Sequence, residues 1–433
     1  MQTILPKGSK KLMNAWAFYD WANSVYPLVI SSAIFPLYFG FLFPKETPDV
    51  QFLGYDFKAT ALISFVTAFA FLVVAFISPF LSGIADFVGN KKRFLQFFCF
   101  LGASSCIGMY WFTVDNIYFG ITCFFFGLIG FWGSLVFYNS YLPDIAFTEQ
   151  QDGLSARGYS MGYIGSVILL LICLYLILSK EGVEALEMMK VSFALTGVWW
   201  LLFSQYAFYY LPKGNKNADK ITKDILLSGF RELKKVKNEL LKHLSLSRYL
   251  AAFFVYSMAV QTVMLVATYF GEQEINWADT EEKTKGLIIS VLVIQLVAVL
   301  GAIVTARLSN RFGNIKTLIV INSIWVVICV CAYFVTEPIH FYVTACFVGL
   351  VMGGIQALSR STYSKFLPKT EDTTSFFSFY DVAEKIGIVI GMCVYGLIDQ
   401  ITGSMRNSIV FLAVFFIVGV LLLFRVPKSV AKE

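Results

Sequence analysis

"SGIADFVGNKKR" at residues 82–93 and "ARLSNRFGNIKT" at residues 306–317 can be laid over one another, and that overlay decides the architecture. Asp86 falls on Asn310, Gly89 on Gly313, Asn90 on Asn314 and Lys92 on Lys316, a constant offset of 224. At the same offset Gly130 falls on Gly354. Each stretch follows one long apolar run and precedes another, so each reads as a tight polar turn between antiparallel helices, with glycine permitting the turn. A repeat of that length marks two duplicated halves, the organisation of many transporters.

Working outward, a membrane-spanning helix needs about 20 mostly apolar residues. Such runs occur at 15–43, 59–83, 94–113, 117–141, 158–179, 191–211, 249–271, 286–306, 317–336, 340–361, 376–398 and 407–425, which predicts twelve spans. The chain is 58% hydrophobic and 14% charged, more apolar than a soluble protein of 433 residues requires. With both ends on the cytoplasmic side, inward segments carry 26 of the 34 Lys and Arg residues, outward loops carry 7, and Lys385 lies within a span. That asymmetry fixes the expected orientation. The N-terminus is basic, but its apolar segment is too long for a signal-peptide core and is expected to remain as span 1.

The halves meet at a polar interruption, giving expected domains of 1–212, a linker at 213–248, and 249–433. The linker holds ten Lys and Arg against four acids, a local excess that makes nucleic-acid binding a poor explanation of the net charge of +6. Its apolar residues Ile225, Leu226, Phe230, Leu233, Val236, Leu240, Leu241 and Leu244 recur at helical spacing between lysines. The pattern over 219–246 is that of an amphipathic helix on an anionic leaflet, with a solvated helical linker as the alternative. The eight cysteines all fall in apolar stretches without a CxxC pair, and the two histidines have no ligand-spaced companion, so no disulfide or metal site is expected. No GxxxxGK[ST] phosphate loop occurs, so ATP is not the expected energy source, and no cofactor is implied.

"ADFVGNKKR" (85–93) resembles the cytoplasmic signature of the major facilitator superfamily, with Ser82 and Gly83 where that signature begins on glycine. Finer likeness lies in "FYDWANSVY" (18–26), "FYNSYLPDIA" (137–146), "LSARGYSMGYIGS" (154–166), "GGIQALSRSTYSKFLP" (353–368) and "FFSFYDVAEKIG" (376–387). These resemble the vacuole-effluxer branch of that superfamily, whose eukaryotic members release amino acids from the vacuole. The resemblance implies an all-α membrane protein of twelve transmembrane helices in the major facilitator fold, two pseudo-symmetric six-helix bundles. The chain departs from the family in "YSMAVQT" (256–262), where Met258 stands at a position in which an acid is common.

Asp20 lies about two turns inside span 1. A carboxylate there costs a few kcal/mol unless it meets water or a partner. Asn23 and Tyr26 share its approximate face, and in the fold that the resemblance implies span 1 lines the solute cavity. Tyr19, Asp20, Asn23 and Tyr26 are therefore candidate solute-binding residues; the other reading makes Asp20 a brace between helix ends. Tyr138, Asn139, Gln261, Gln295 and Gln356 are further polar candidates for the cavity wall.

Span 11 repeats the theme in "FYDVAEK" (379–385). Asp381 and Lys385 are i,i+4 partners, which leaves Glu384 as the odd charge with a raised affinity for protons. Glu384, with Asp381 and Lys385, is the candidate for coupling to protons or another ion; a structural ion-pair cluster reaching Arg360 is the alternative. Gating is assigned to Asp86, Gly89, Lys92, Arg157 and Arg360, cytoplasmic-side residues able to make and break contacts as the halves rock. The glycines of spans 4 and 5 read as packing seams.

The sequence thus predicts a secondary active transporter, not an enzyme, that carries a small polar solute, amino acids by resemblance, in a bacterial inner membrane. A non-transporting sensor or scaffold that keeps the fold is the alternative.

Overall fold

A computed structural model describes residues 5–43, 50–57, 59–213 and 223–427, with no side-chain account at 56, 59–61, 223–230, 232–233 and 280–281. The first span is α1 (Lys10–Asn23), a π-helical segment (Tyr26–Ile34) and α2 (Phe35–Leu42) in continuous succession. Pro27 brings no N–H to the carbonyl four residues earlier, and the hydrogen-bond ladder widens there. A two-stranded antiparallel hairpin follows, β1 (Val50–Phe52) and β2 (Tyr55–Phe57), pairing Val50 with Phe57 and Phe52 with Tyr55. It packs through Val50 onto Leu62 and Ile121, and Phe52 stacks on Tyr118 at 4.9 Å.

The remaining helices are α3 (Ala59–Val88), α4 (Lys91–Gly108), α5 (Ile117–Asn139), the short α6 (Leu142–Ile145), α7 (Gln151–Leu178), α8 (Gly182–Tyr210), α9 (Lys223–Lys242), α10 (Leu244–Glu274), α11 (Thr280–Phe312), α12 (Asn314–Ala332), α13 (Pro338–Phe366), α14 (Thr373–Thr402) and α15 (Met405–Phe424). Among the described residues, eleven helical segments are long and apolar enough to cross a membrane. The twelfth span, α14, has the length at 30 residues but carries Asp381, Glu384 and Lys385 in its middle. The protein is an integral membrane protein of twelve transmembrane helices. Large apolar side chains such as Phe76 and Leu202 are exposed on helix flanks, where lipid is their solvent.

The chain falls into two compact units, residues 1–141 with 161–230, and residues 142–160 with 231–433. In the first, α4 and α5 meet at Gly102 and Gly130, where a Cβ on Gly130 would overlap the backbone of Gly102. In the second, α13 runs along α11, and a Cβ on Gly353 would meet the carbonyl of Ala298. Small residues here let backbones approach without a side chain between them. Both turn glycines of the repeat take positive φ, 68° at Gly89 and 87° at Gly313, so the sequence reading of those turns holds.

Candidate functional site

In the first unit the polar face of α1 turns inward. Asp20 is 4% exposed, and the Tyr138 hydroxyl at the end of α5 donates to its Oδ2 at 2.8 Å. Trp16 fixes Tyr138 in two ways, stacking on its ring at 4.5 Å and donating its indole N–H to the Tyr138 carbonyl at 2.9 Å. Tyr19 lies against the same ring at 5.0 Å. One turn on, Asn23 is fully buried, accepting from Ser24 Oγ at 3.4 Å, while its Nδ2 has no partner among the described residues. Tyr26 stacks on Phe131 at 5.4 Å, and its buried hydroxyl likewise has no partner among them. A neutral donor therefore meets the Asp20 carboxylate, and aromatic rings lock that donor's position.

The second unit holds the larger polar cluster. Lys385 on α14 is 1% exposed and bonds Asp381 Oδ1 at 2.6 Å and Glu384 Oε2 at 2.9 Å. The other Glu384 oxygen, Oε1, accepts from Gln261 Nε2 of α10 at 2.8 Å. Glu384 is thus not the odd charge that i,i+4 spacing predicts: the long lysine stem reaches both acids and shares one positive charge between them. The trio carries one negative charge in excess. Glu384 and Gln261 line a narrow cleft with Gln356, Ser257, Ser359 and the rings of Tyr159, Phe253, Tyr256 and Tyr380. Its walls offer π faces, hydroxyls and amides around a single carboxylate, a lining suited to a small solute with a polar or cationic end.

The third constellation ties the start of α7 into the second unit. Asp152 Oδ2 accepts from Lys365 Nζ at 2.6 Å and from Ser309 Oγ at 2.8 Å, and Oδ1 accepts from Asn314 Nδ2 at 2.9 Å. Asn314 is the repeat residue matching Asn90, so the second turn motif supplies part of this knot. Close by, Arg360 of α13 donates to Ser155 Oγ at 2.9 Å and to the Ser155 carbonyl at 3.0 Å, and its guanidinium lies 4.1 Å from the centre of the Tyr159 ring. Four elements, α7, α11, α12 and α13, converge on one aspartate whose side chain is 1% exposed.

The predicted residues are thus gathered unevenly. Tyr19, Asp20, Asn23, Tyr26 and Tyr138 form one inward-facing row in the first unit, with Asn139 half-buried at the end of α5. Gln261, Gln356 and Glu384 share the cleft, while Gln295 on α11 is half-buried outside its lining. Among the gating candidates Asp86 is buried, Lys92 donates to the Leu211 carbonyl at 2.8 Å, Arg360 holds Ser155, and Arg157 is exposed. Sequence reasoning missed Asp152, Ser155 and Lys365. An acid in the first turn of a helix is ordinary, and the only available signal was the match of Asn314 to Asn90.

Residues 8–433 match the model of the family described as "Vacuole effluxer Atg22 like". The chain belongs to that family. Relatives of the vacuole-effluxer family include an uncharacterized MFS-type transporter of Bacillus subtilis, YxiO, 29% identical over 433 residues and covering 98% of this chain and 96% of its own. Autophagy-related protein 22 of Vanderwaltozyma polyspora is 24% identical, covering 86% of this chain and 77% of its own. Solved structures with this fold include the Escherichia coli fucose:proton symporter FucP, with a TM-score of 0.67 at 16% identity and coverage of 97% and 98%. The proton:xylose symporter XylE gives a TM-score of 0.69 at 12% identity over 96% of each chain. The fold is that of the major facilitator superfamily, and this effluxer-family protein is an MFS-type transporter.

Proposed function

We propose that the protein is a secondary active transporter of a small polar solute with a cationic or zwitterionic end, amino acids being the class that the resemblance to vacuole effluxers implies. Movement of the solute is coupled to protons through Asp381, Glu384 and Lys385. The observation that carries this reading is the Gln261–Glu384–Lys385–Asp381 chain, in which a carboxylate on a cleft wall is wired to a buried lysine. With two acids and one base, the trio takes up one proton without leaving a lysine unpaired, and a solute amine entering the cleft competes for the same charge. Asp20, Asn23 and Tyr26 serve the first half of the pathway, with Tyr138 orienting Asp20.

Alternating access then proceeds by rocking of the two six-helix halves, 1–212 and 249–433, joined by the linker 213–248. The Asp152 knot, with Arg360 on Ser155, acts as a catch that the cycle makes and breaks, alongside Asp86, Gly89, Lys92 and Arg157. Both termini and the linker lie on the cytoplasmic side of a bacterial inner membrane, with 219–246 at the anionic leaflet.

The test is proton movement in proteoliposomes under an imposed pH gradient, scanning amino acids, sugars and nucleosides. Solute-dependent proton flux that is lost in Glu384→Gln and kept in Asp381→Asn supports the assignment. Unaltered coupling in Glu384→Gln removes it, and flux absent with every solute in the wild-type chain favours a non-transporting role.

A further inference from the structure

The helix between the halves does more than connect them. From Arg231 to Lys242 it exposes Arg231, Lys234, Lys235, Lys237 and Lys242, while Val236 and Leu240, one turn apart, are buried in the second unit. Leu241 is 64% exposed among those lysines, and Leu244, the first residue of α10, is 55% exposed beside them. Lysines flanking uncovered leucines match an anionic bilayer surface, where apolar side chains enter the headgroup boundary and ammonium groups meet phosphate.

One of those lysines is also engaged elsewhere. Lys235 Nζ bonds Asp372 Oδ2 at 2.8 Å, with the lysine side chain 53% and the aspartate 15% exposed. Asp372 occupies the N-cap position of α14, yet its carboxylate makes no capping bond to that helix; Thr370 Oγ1 donates to it at 3.4 Å. The ion pair joins α9 to the residue just before the helix that carries Asp381, Glu384 and Lys385.

We propose that α9 docks on anionic phospholipid and that the lipid phosphate competes with Asp372 for Lys235, so that leaflet charge sets how firmly the start of α14 is braced. An ion pair this exposed is worth about as much as one lysine's attraction to an anionic leaflet. Neither contact dominates, and lipid composition decides between them. The proposal rests on the membrane-surface reading of the linker and is independent of the solute.

The test is amide hydrogen exchange of the full chain in nanodiscs of phosphatidylcholine alone and of phosphatidylcholine with phosphatidylglycerol. Phosphatidylglycerol is expected to slow exchange in 231–242 and to speed exchange in 377–385 about fivefold, the loss of one weak brace. In Lys235→Gln the 377–385 segment exchanges fast in both discs, whereas Lys237→Gln keeps the lipid response. Unchanged exchange in 231–242 overturns the docking surface. Slowed exchange there with no change in 377–385, or a lipid response surviving in Lys235→Gln, overturns the competition. Inorganic phosphate reproducing the effect in phosphatidylcholine discs overturns the assignment to lipid.

Discussion

Asp20 and Asp381 stand in nearly the same words, "FYDWAN" and "FYDVAE", one in each half of the chain, yet the protein satisfies them by different chemistry. Asp20 receives a hydroxyl from Tyr138, a neutral partner held by Trp16. Asp381 receives an ammonium from Lys385, which also holds Glu384. The lesson concerns how far a change at each site spreads. Deleting the Tyr138 hydroxyl takes one neutral donor from Asp20 and leaves the charges of the unit as they were. The trio is coupled, since any change at one carboxylate redistributes a lysine that belongs to both, and Gln261 carries the change to α10.

The largest effect should come from breaking the coupled side. Lys385→Met removes the cation shared by buried Asp381 and half-buried Glu384 and is expected to destabilise the protein by about 3 kcal/mol, read as a lowered unfolding midpoint in detergent. Adding Glu384→Gln should recover part of that loss; a double variant no better than the single one would show that the shared lysine is not the coupling element. Next comes the Asp152 knot. Asp152→Asn removes the charge that Lys365 answers, and a loss of about 2–3 kcal/mol is expected in the same measurement, with Lys365→Met partly compensating when combined. In the first unit Tyr138→Phe keeps the ring against Trp16 and deletes one hydroxyl, so a loss of about 1.5–2 kcal/mol is expected. If Tyr138→Phe cost as much as Lys385→Met, the contrast between the halves would be lost.

Much of the fold was legible because lipid imposes a simple rule on sequence. Eleven spans among the described residues are apolar enough to pass by length and composition, span 1 despite Asp20, and α14 stood out because three charges lie inside it. The repeated turn motif was legible for a geometric reason, Gly89 and Gly313 both adopting positive φ. The π-helical turn after Asn23 and the hairpin at 50–57 were not read, since Pro27 alone does not tell a widened ladder from a kink, and six residues of strand carry little periodicity.

The site was legible in its charges and illegible in its partnerships. Glu384 and Lys385 announced themselves by residue type, whereas the bridging of both acids by one ammonium depends on a side-chain path that spacing does not fix. Asp152 was hidden by its ordinary position at a helix start, and Ser155 because half of what it offers Arg360 is a backbone carbonyl. Tyr19 and Tyr26 were legible as polar residues on an apolar span, whereas the rings of their own unit that each packs against were not.

The widened turn at Tyr26–Ile34 gives the first span a degree of freedom that an unbroken α-helix lacks. Moving the surplus residue along the segment re-aims the side chains it passes, while the helix on either side keeps its orientation. The wall that Tyr26, Leu28, Val29 and Ile30 present to the interior can thus be re-dealt without α1 or α2 leaving its berth.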